Sequence, residues 1–211
     1  MNDPTSAADA PDIARAPHTE RWLGWILLIA GAIALAASYE LAVEKFRLLE
    51  NPLYVPACSL GEVVNCASVM RSSQSEALGF PNAFLGLAGY GALTAIGLIL
   101  VTGGRLTRPF WIVLQAGLLF AVLFVHWLMI QALYNIGALC PFCMALWAAT
   151  IPAFWYVTVC NITPFADKPG ATGTVVRFAL RNHGIIITAW LLLITALVAE
   201  RFWAPWDSIF I

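Results

Sequence analysis

Five long apolar runs constrain this chain more than any other feature. They are Trp22–Val43, Ala83–Val101, Pro109–Leu133, Leu139–Cys160 and Gly184–Phe202. About 20 apolar residues wound as helix cross the roughly 30 Å of hydrocarbon in a bilayer. A helix also satisfies its own backbone N–H and C=O groups, which lipid cannot do. Only 11% of the 211 residues are charged, where a soluble domain carries about 25%. The expected fold is therefore an all-α integral membrane protein with five transmembrane helices. A single transmembrane domain is expected over residues 22–204, behind a polar, disordered N-terminal tail over residues 1–21. Ala34-Leu35-Ala36 resembles a signal-peptide cleavage site. The run is long, however, and the acidic lead is a poor n-region, so the first run reads as an anchor. A net charge of −1 gives no reason to expect a nucleic-acid partner.

Orientation follows from the placement of Lys and Arg. With the N-terminus in the cytoplasm, the inner segments carry Arg15, Arg21, Arg105, Arg108, Lys168, Arg177 and Arg181. The outer segments carry only Lys45, Arg47, Arg71 and Arg201. This places the first loop, Glu44–Pro81, and the short connection Tyr134–Ala138 on the extracytoplasmic side.

Four of the five cysteines then share that side. Cys58 and Cys66 lie in the first loop, and Cys140-Pro141-Phe142-Cys143 opens the fourth run. A C-x-x-C dithiol at a helix N-terminus has a depressed thiol pKa, because the first-turn amides favour the thiolate. Pro141 suits that first turn, where its missing N–H costs little. Cys143 falls one turn inside the apolar layer and Cys140 at its mouth. Two pairs on one face can exchange electrons; one pair alone would read as a structural bridge, which remains the plain alternative for Cys58 and Cys66. Four cysteines could also bind zinc, but an oxidising compartment and the lack of a ligand-spaced His argue against a metal. Cys160, at the far end of the fourth run, reads as a small core residue. His126, the only histidine inside a run, is either a proton relay or a neutral packed imidazole.

On these residues the chain resembles the vitamin K epoxide reductase family in its bacterial form. The resemblance covers residues 22–160. It rests on Cys58 and Cys66, the run Cys66-Ala67-Ser68-Val69-Met70-Arg71-Ser72, the stretch Asn82-Ala83-Phe84-Leu85-Gly86, and Cys140-Pro141-Phe142-Cys143. The bacterial disulfide-forming membrane oxidase has similar chemistry but places its C-x-x-C ahead of the other pair. The resemblance implies four helices bundled around a quinone site, capped by the extracytoplasmic loop. It implies catalytic roles for Cys58, Cys66, Cys140 and Cys143, and a loop-steadying role for Ser72. It implies a quinone-binding set of Asn82, Trp147, Val69, Met70, Leu85 and Tyr90. Ser72 could equally be a solvated loop residue, and Asn82 is well suited to cap a helix. Trp147 replaces the Tyr of animal members, so the phenol is lost while an indole N–H remains.

The function this implies is oxidation of an extracytoplasmic thioredoxin-like protein, with electrons passed to menaquinone or ubiquinone in a bacterial inner membrane. Many bacterial members carry a fused thioredoxin-like domain. Here only about ten residues follow the fifth run, so the redox partner is expected to be separate. Two rivals are a vitamin K epoxide or quinone reductase in its own right, and a non-enzymatic membrane scaffold with structural disulfides.

Overall fold

The computed structural model of the chain describes the backbone from Pro17 to Asp207 and the side chains from Glu20 to Phe202. The architecture is all-α. The helices are α1 (Pro17–Glu50), α2 (Cys66–Arg71), α3 (Asn82–Val101), α4 (Arg108–Ile130), α5 (Pro141–Ile162), α6 (Ala171–Arg181) and α7 (His183–Asp207). Five of them, all but α2 and α6, are long and apolar enough to cross a membrane. The protein is an integral membrane protein, as the five apolar runs require.

The ends of the elements depart from the apolar runs where charge and helix propensity part company. Helix α1 continues to Glu50 rather than stopping at Val43. Glu44, Lys45, Arg47 and Leu48 are good helix formers, and Arg47 pairs with Glu44 one turn away at 3.2 Å. The apolar run ends, but the helix does not. At the other end, Pro17–Arg21 are already helical; the rest of the expected tail, residues 1–16, lies outside the described residues. Helix α4 finishes as a π-helical turn over Gln131–Ile136. Gly137, at φ 68°, closes that turn in the left-handed region, which costs glycine nothing. Helix α6 was not expected, because it is too short and polar to register as a span.

Helix α1 shows how the bundle is built. Leu23, Leu27, Ala30, Ala34, Ala37, Leu41, Glu44 and Leu48 are all buried, and they recur at alternating spacings of four and three along one stripe. The other faces are also apolar, with Trp22, Trp25, Ile29 and Ile33 about half exposed, as suits a helix with lipid on one side and protein on the other. Against α3 the packing is close enough to need glycine. A methyl group at Gly24 would lie 2.8 Å from Leu100 Cβ, and one at Gly97 would overlap the Leu28 backbone. Small residues let backbones approach in this way inside lipid. Helix α1 also packs on α5, and α4 packs on α5, while α7 touches α5 more lightly. The helices α1, α3, α4 and α5 surround one cavity, and α7 lies outside it.

Candidate functional site

The first loop is pinned to the start of α5 by a short backbone bridge. Leu139 N donates to Val63 O at 2.7 Å, and Asn65 N donates to Leu139 O at 2.9 Å. The bridge between Val64 and Leu139 is parallel, so the residues just after it run on side by side. On one strand that is Cys66, on the other Cys140. Asn65 then caps α2, accepting from Ser68 N at 3.0 Å, and makes Cys66 the first helical residue. Cys140 is the N-cap of α5. The result is a Cys66 Sγ to Cys140 Sγ distance of 3.2 Å.

The two loop cysteines form a disulfide, Cys58–Cys66. Cys140 and Cys143 are thiols. The sulfurs of Cys58, Cys66 and Cys140 lie within 4.8 Å of one another. Two of these three are tied up in the disulfide, whereas the thiolate is the form that binds a metal. Cys66 and Cys140 are 0% and 1% exposed, while Cys58 is partly open. Cys58 is thus the least buried of the three residues. Cys140 lies just ahead of the α5 span, and its pKa is lowered from the ordinary thiol value. The hydrogen bond from the Cys143 thiol is the main cause, with the amides of Cys143 and Phe142 adding to it and burial opposing.

Behind these sulfurs is a cavity of about 310 Å³, within the range of pockets that enclose small organic ligands. All six residues expected at a quinone line it: Asn82, Trp147, Val69, Met70, Leu85 and Tyr90. Cys140, Cys143 and Ser72 line it as well, and Cys58 and Cys66 do not. Asn82 is not an N-cap. Pro81 holds that position, without a side-chain cap bond. The Asn82 Nδ2 group instead donates to Gln74 O at 2.7 Å, leaving Oδ1 buried with no partner among the described residues. Ser38 Oγ, also lining the cavity, is buried and unpartnered in the same way. Thr150 Oγ1 donates to Leu146 O at 2.6 Å. The Tyr90 hydroxyl, 2.6 Å from Thr150 Oγ1, must then donate to Thr150, which leaves only its lone pairs for a ligand.

Ser72 is not simply solvated. Its Oγ donates to Val69 O at 2.6 Å, and its carbonyl accepts from Ser75 Oγ at 2.8 Å, joining α2 to the turn at Ser73–Glu76. Lys45 holds the same junction from α1. Its Nζ donates to Met70 O at 2.7 Å and lies 2.9 Å from Glu76 Oε1. Neither Lys45 nor the Val64–Leu139 bridge was legible as part of the site. Asn65, directly before a short helix, carried an N-cap signal that could have been read. Ser38, a hydroxyl in the middle of an apolar run, was a second such signal.

His126 lies apart from the cavity lining. Its Nδ1 is 2.7 Å from Val122 O, and its Nε2 accepts from Trp190 Nε1 at 3.1 Å. With Nδ1 donating and Nε2 accepting, the ring is a neutral clasp between α4 and α7. Cys160 is buried in the core among residues of α1, α3, α4 and α5.

The sequence profile of the Vitamin K epoxide reductase family matches residues 25–158, which is well over half of the chain. Among curated proteins none matches it. The matched stretch carries both cysteine pairs and every cavity residue named above. The chain belongs to the Vitamin K epoxide reductase family, whose members are membrane oxidoreductases working between thiols and quinones.

Proposed function

We propose that this protein reoxidises a separate thioredoxin-like dithiol protein at the extracytoplasmic face of a bacterial inner membrane, and delivers the electrons to menaquinone or ubiquinone. The observation that carries the reading is the 3.2 Å contact between Cys66 and Cys140, with Cys140 and Cys143 lining the cavity directly behind it. Thiol–disulfide exchange needs such direct sulfur contact.

The exchange steps follow from access. A partner thiolate attacks Cys58, the least buried of the three; the Cys58–Cys66 bond breaks and Cys66 leaves as a thiolate. The partner's second thiol resolves the mixed disulfide, so the partner departs oxidised and Cys58 is freed. Cys66 then attacks Cys140 in an oxidised Cys140–Cys143 pair; the new bond forms and Cys143 leaves as a thiolate. Attack by Cys58 on Cys66 restores the loop disulfide and releases Cys140 as a thiol. This is the combination of bonds in the structure, with the loop pair oxidised and the C-x-x-C pair reduced.

The apolar cavity with two buried, unpartnered polar atoms, Asn82 Oδ1 and Ser38 Oγ, fits a flat apolar ring bearing oxygen substituents. The chemistry a bound quinone supplies is that of a two-electron, two-proton acceptor. Asn82 and Ser38 would orient its oxygens, and Val69, Met70, Leu85 and Trp147 would exclude water. Tyr90, its proton committed to Thr150, would serve as wall and acceptor.

The test is turnover of purified protein with a reduced dithiol protein and a short-chain quinone. Substituting Cys66 or Cys140 by Ala should stop electron transfer between the pairs. Substituting Cys143 should abolish quinone reduction while the loop pair still exchanges with the partner. Full turnover in these variants would overturn the relay and favour structural disulfides. Turnover of vitamin K epoxide with no activity toward the dithiol protein would favour the epoxide-reductase reading.

A further inference from the structure

Helix α7 lies outside the family-matched stretch and contributes nothing to the cavity lining. Yet it is fastened to the bundle by three polar clasps spread along its length. At one end Trp155 Nε1 donates to His183 O at 2.9 Å. In the middle Trp190 donates to His126. At the cysteine-bearing end Arg201 Nε donates to Leu133 O at 2.9 Å. The third clasp differs from the others in where it lands.

Leu133 sits in the π-helical turn that ends α4 and is 1% exposed. Carbonyls at a helix end have no partner within the helix. Here Ala132 O is satisfied by Gly137 N at 2.9 Å. Gly137 then turns the chain out of the helix, and the Arg201 guanidinium satisfies Leu133 O. A cation is also the favoured partner for a helix C-terminus. The turn held in this way leads directly into Leu139 and Cys140. It packs on α2, which carries Cys66. Leu133 and Phe202 share one apolar cluster with Leu139 and Trp147, and Cys143 packs against that cluster.

Resting on the exchange reading above, we infer that Arg201 is a positioning residue for the Cys66–Cys140 exchange. Its Nε bond to the Leu133 carbonyl fixes the turn that sets Cys140 against Cys66. The fifth spanning helix is thus a brace for the redox motif rather than a wall of the quinone site.

The experiment uses the full chain carrying Cys143→Ala. In that protein Cys140 can attack Cys66 of the loop disulfide: the Cys66–Cys140 bond forms, the Cys58–Cys66 bond breaks, and Cys58 is released as a thiolate. No external oxidant is needed. The readout is the rate at which the Cys66–Cys140 bridge and the free Cys58 thiol appear. Arg201→Met keeps the side chain as far as the Nε position and removes the donor and the charge. Arg201→Gln places an amide nitrogen where Nε was. Trp190→Phe removes the middle clasp and controls for general loosening of α7. Arg201→Met should slow bridge formation about tenfold, the scale of one lost hydrogen bond from a charged donor. Arg201→Gln and Trp190→Phe should stay within about threefold of the parent. Equal rates in Arg201→Met and the parent would overturn the proposal, as would equal slowing by Trp190→Phe. A Cys143→Ala parent that forms no Cys66–Cys140 bridge would instead defeat the exchange reading itself.

Discussion

Cys140 meets two opposing demands in one place. In the proposed exchange it is buried against Cys66 and yet must be ionised to react, and burial alone disfavours the thiolate. The Cys143 thiol and the first amides of α5 outweigh burial and hold its pKa below the ordinary thiol value. The sign follows directly. The stabilisation of the folded thiolate is complete above the ordinary thiol pKa, and it is lost as pH falls through the lowered one. Followed by ultraviolet absorbance, the Cys140 thiolate of the reduced C-x-x-C pair should therefore form at lower pH than that of free cysteine. In Cys143→Ala, which removes the main cause, the midpoint for Cys140 should move back up. An unchanged midpoint would assign the shift to the helix amides alone. Asn82 gives a second prediction at this scale. Asn82→Ala loses the bond to Gln74 O, worth about 0.5–1.5 kcal/mol, and removes the amide facing the cavity. A steady-state quinone titration should show a several-fold rise in KM with a small change in melting temperature. Loss of stability with unchanged KM would confine Asn82 to anchoring the turn at Gln74.

Between elements, the tightest contact is α1 against α3, and it depends on the absence of side chains. At Gly97 any Cβ would overlap the Leu28 backbone, which cannot move aside as a side chain could. Gly97→Ala is expected to destabilise the protein by about 1–3 kcal/mol, the cost of overpacking a dense interior. Thermal unfolding in detergent measures this. Gly117, with open space around its Cα, is the matched control, and Gly117→Ala should leave the melting temperature nearly unchanged. The wider lesson at this scale is that the apolar runs named the helices but not their ends. Helix α1 outlasts its apolar run because helix propensity and the Glu44–Arg47 pair carry it onward. Helix α6 escaped notice because a short helix leaves no span-length signal.

On the scale of the whole molecule, both cysteine pairs and α2 gather at one end of the bundle. The proposed function, with the excess of Lys and Arg on the opposite connections, puts that end outside. A membrane-impermeant maleimide applied to intact cells should therefore label Glu62→Cys, in the exposed first loop. It should label Asp167→Cys, between α5 and α6, only after permeabilisation. Labelling in the reverse order would invert the topology and place the dithiols in the cytoplasm. The sequence by itself determined the membrane class, the five spans, the two cysteine pairs and the motifs of the family, because apolar length and C-x-x-C placement are local properties of the chain. The resemblance also implied that Cys58 meets the partner and Cys66 meets Cys140, but the sequence could not determine the backbone bridge that sets Cys66 against Cys140, that Asn82 leans on Gln74 instead of capping α3, or that Arg201 reaches Leu133. The contacts of Cys66 with Cys140 and of Arg201 with Leu133 join residues 74 and 68 positions apart, and only the packing of the helices brings them together; the Asn82–Gln74 bond is set by how the loop folds back just before α3. The sulfur contact depends on a backbone bridge of two hydrogen bonds between Val63–Asn65 and Leu139, a pairing for which neither segment carries a signal of its own.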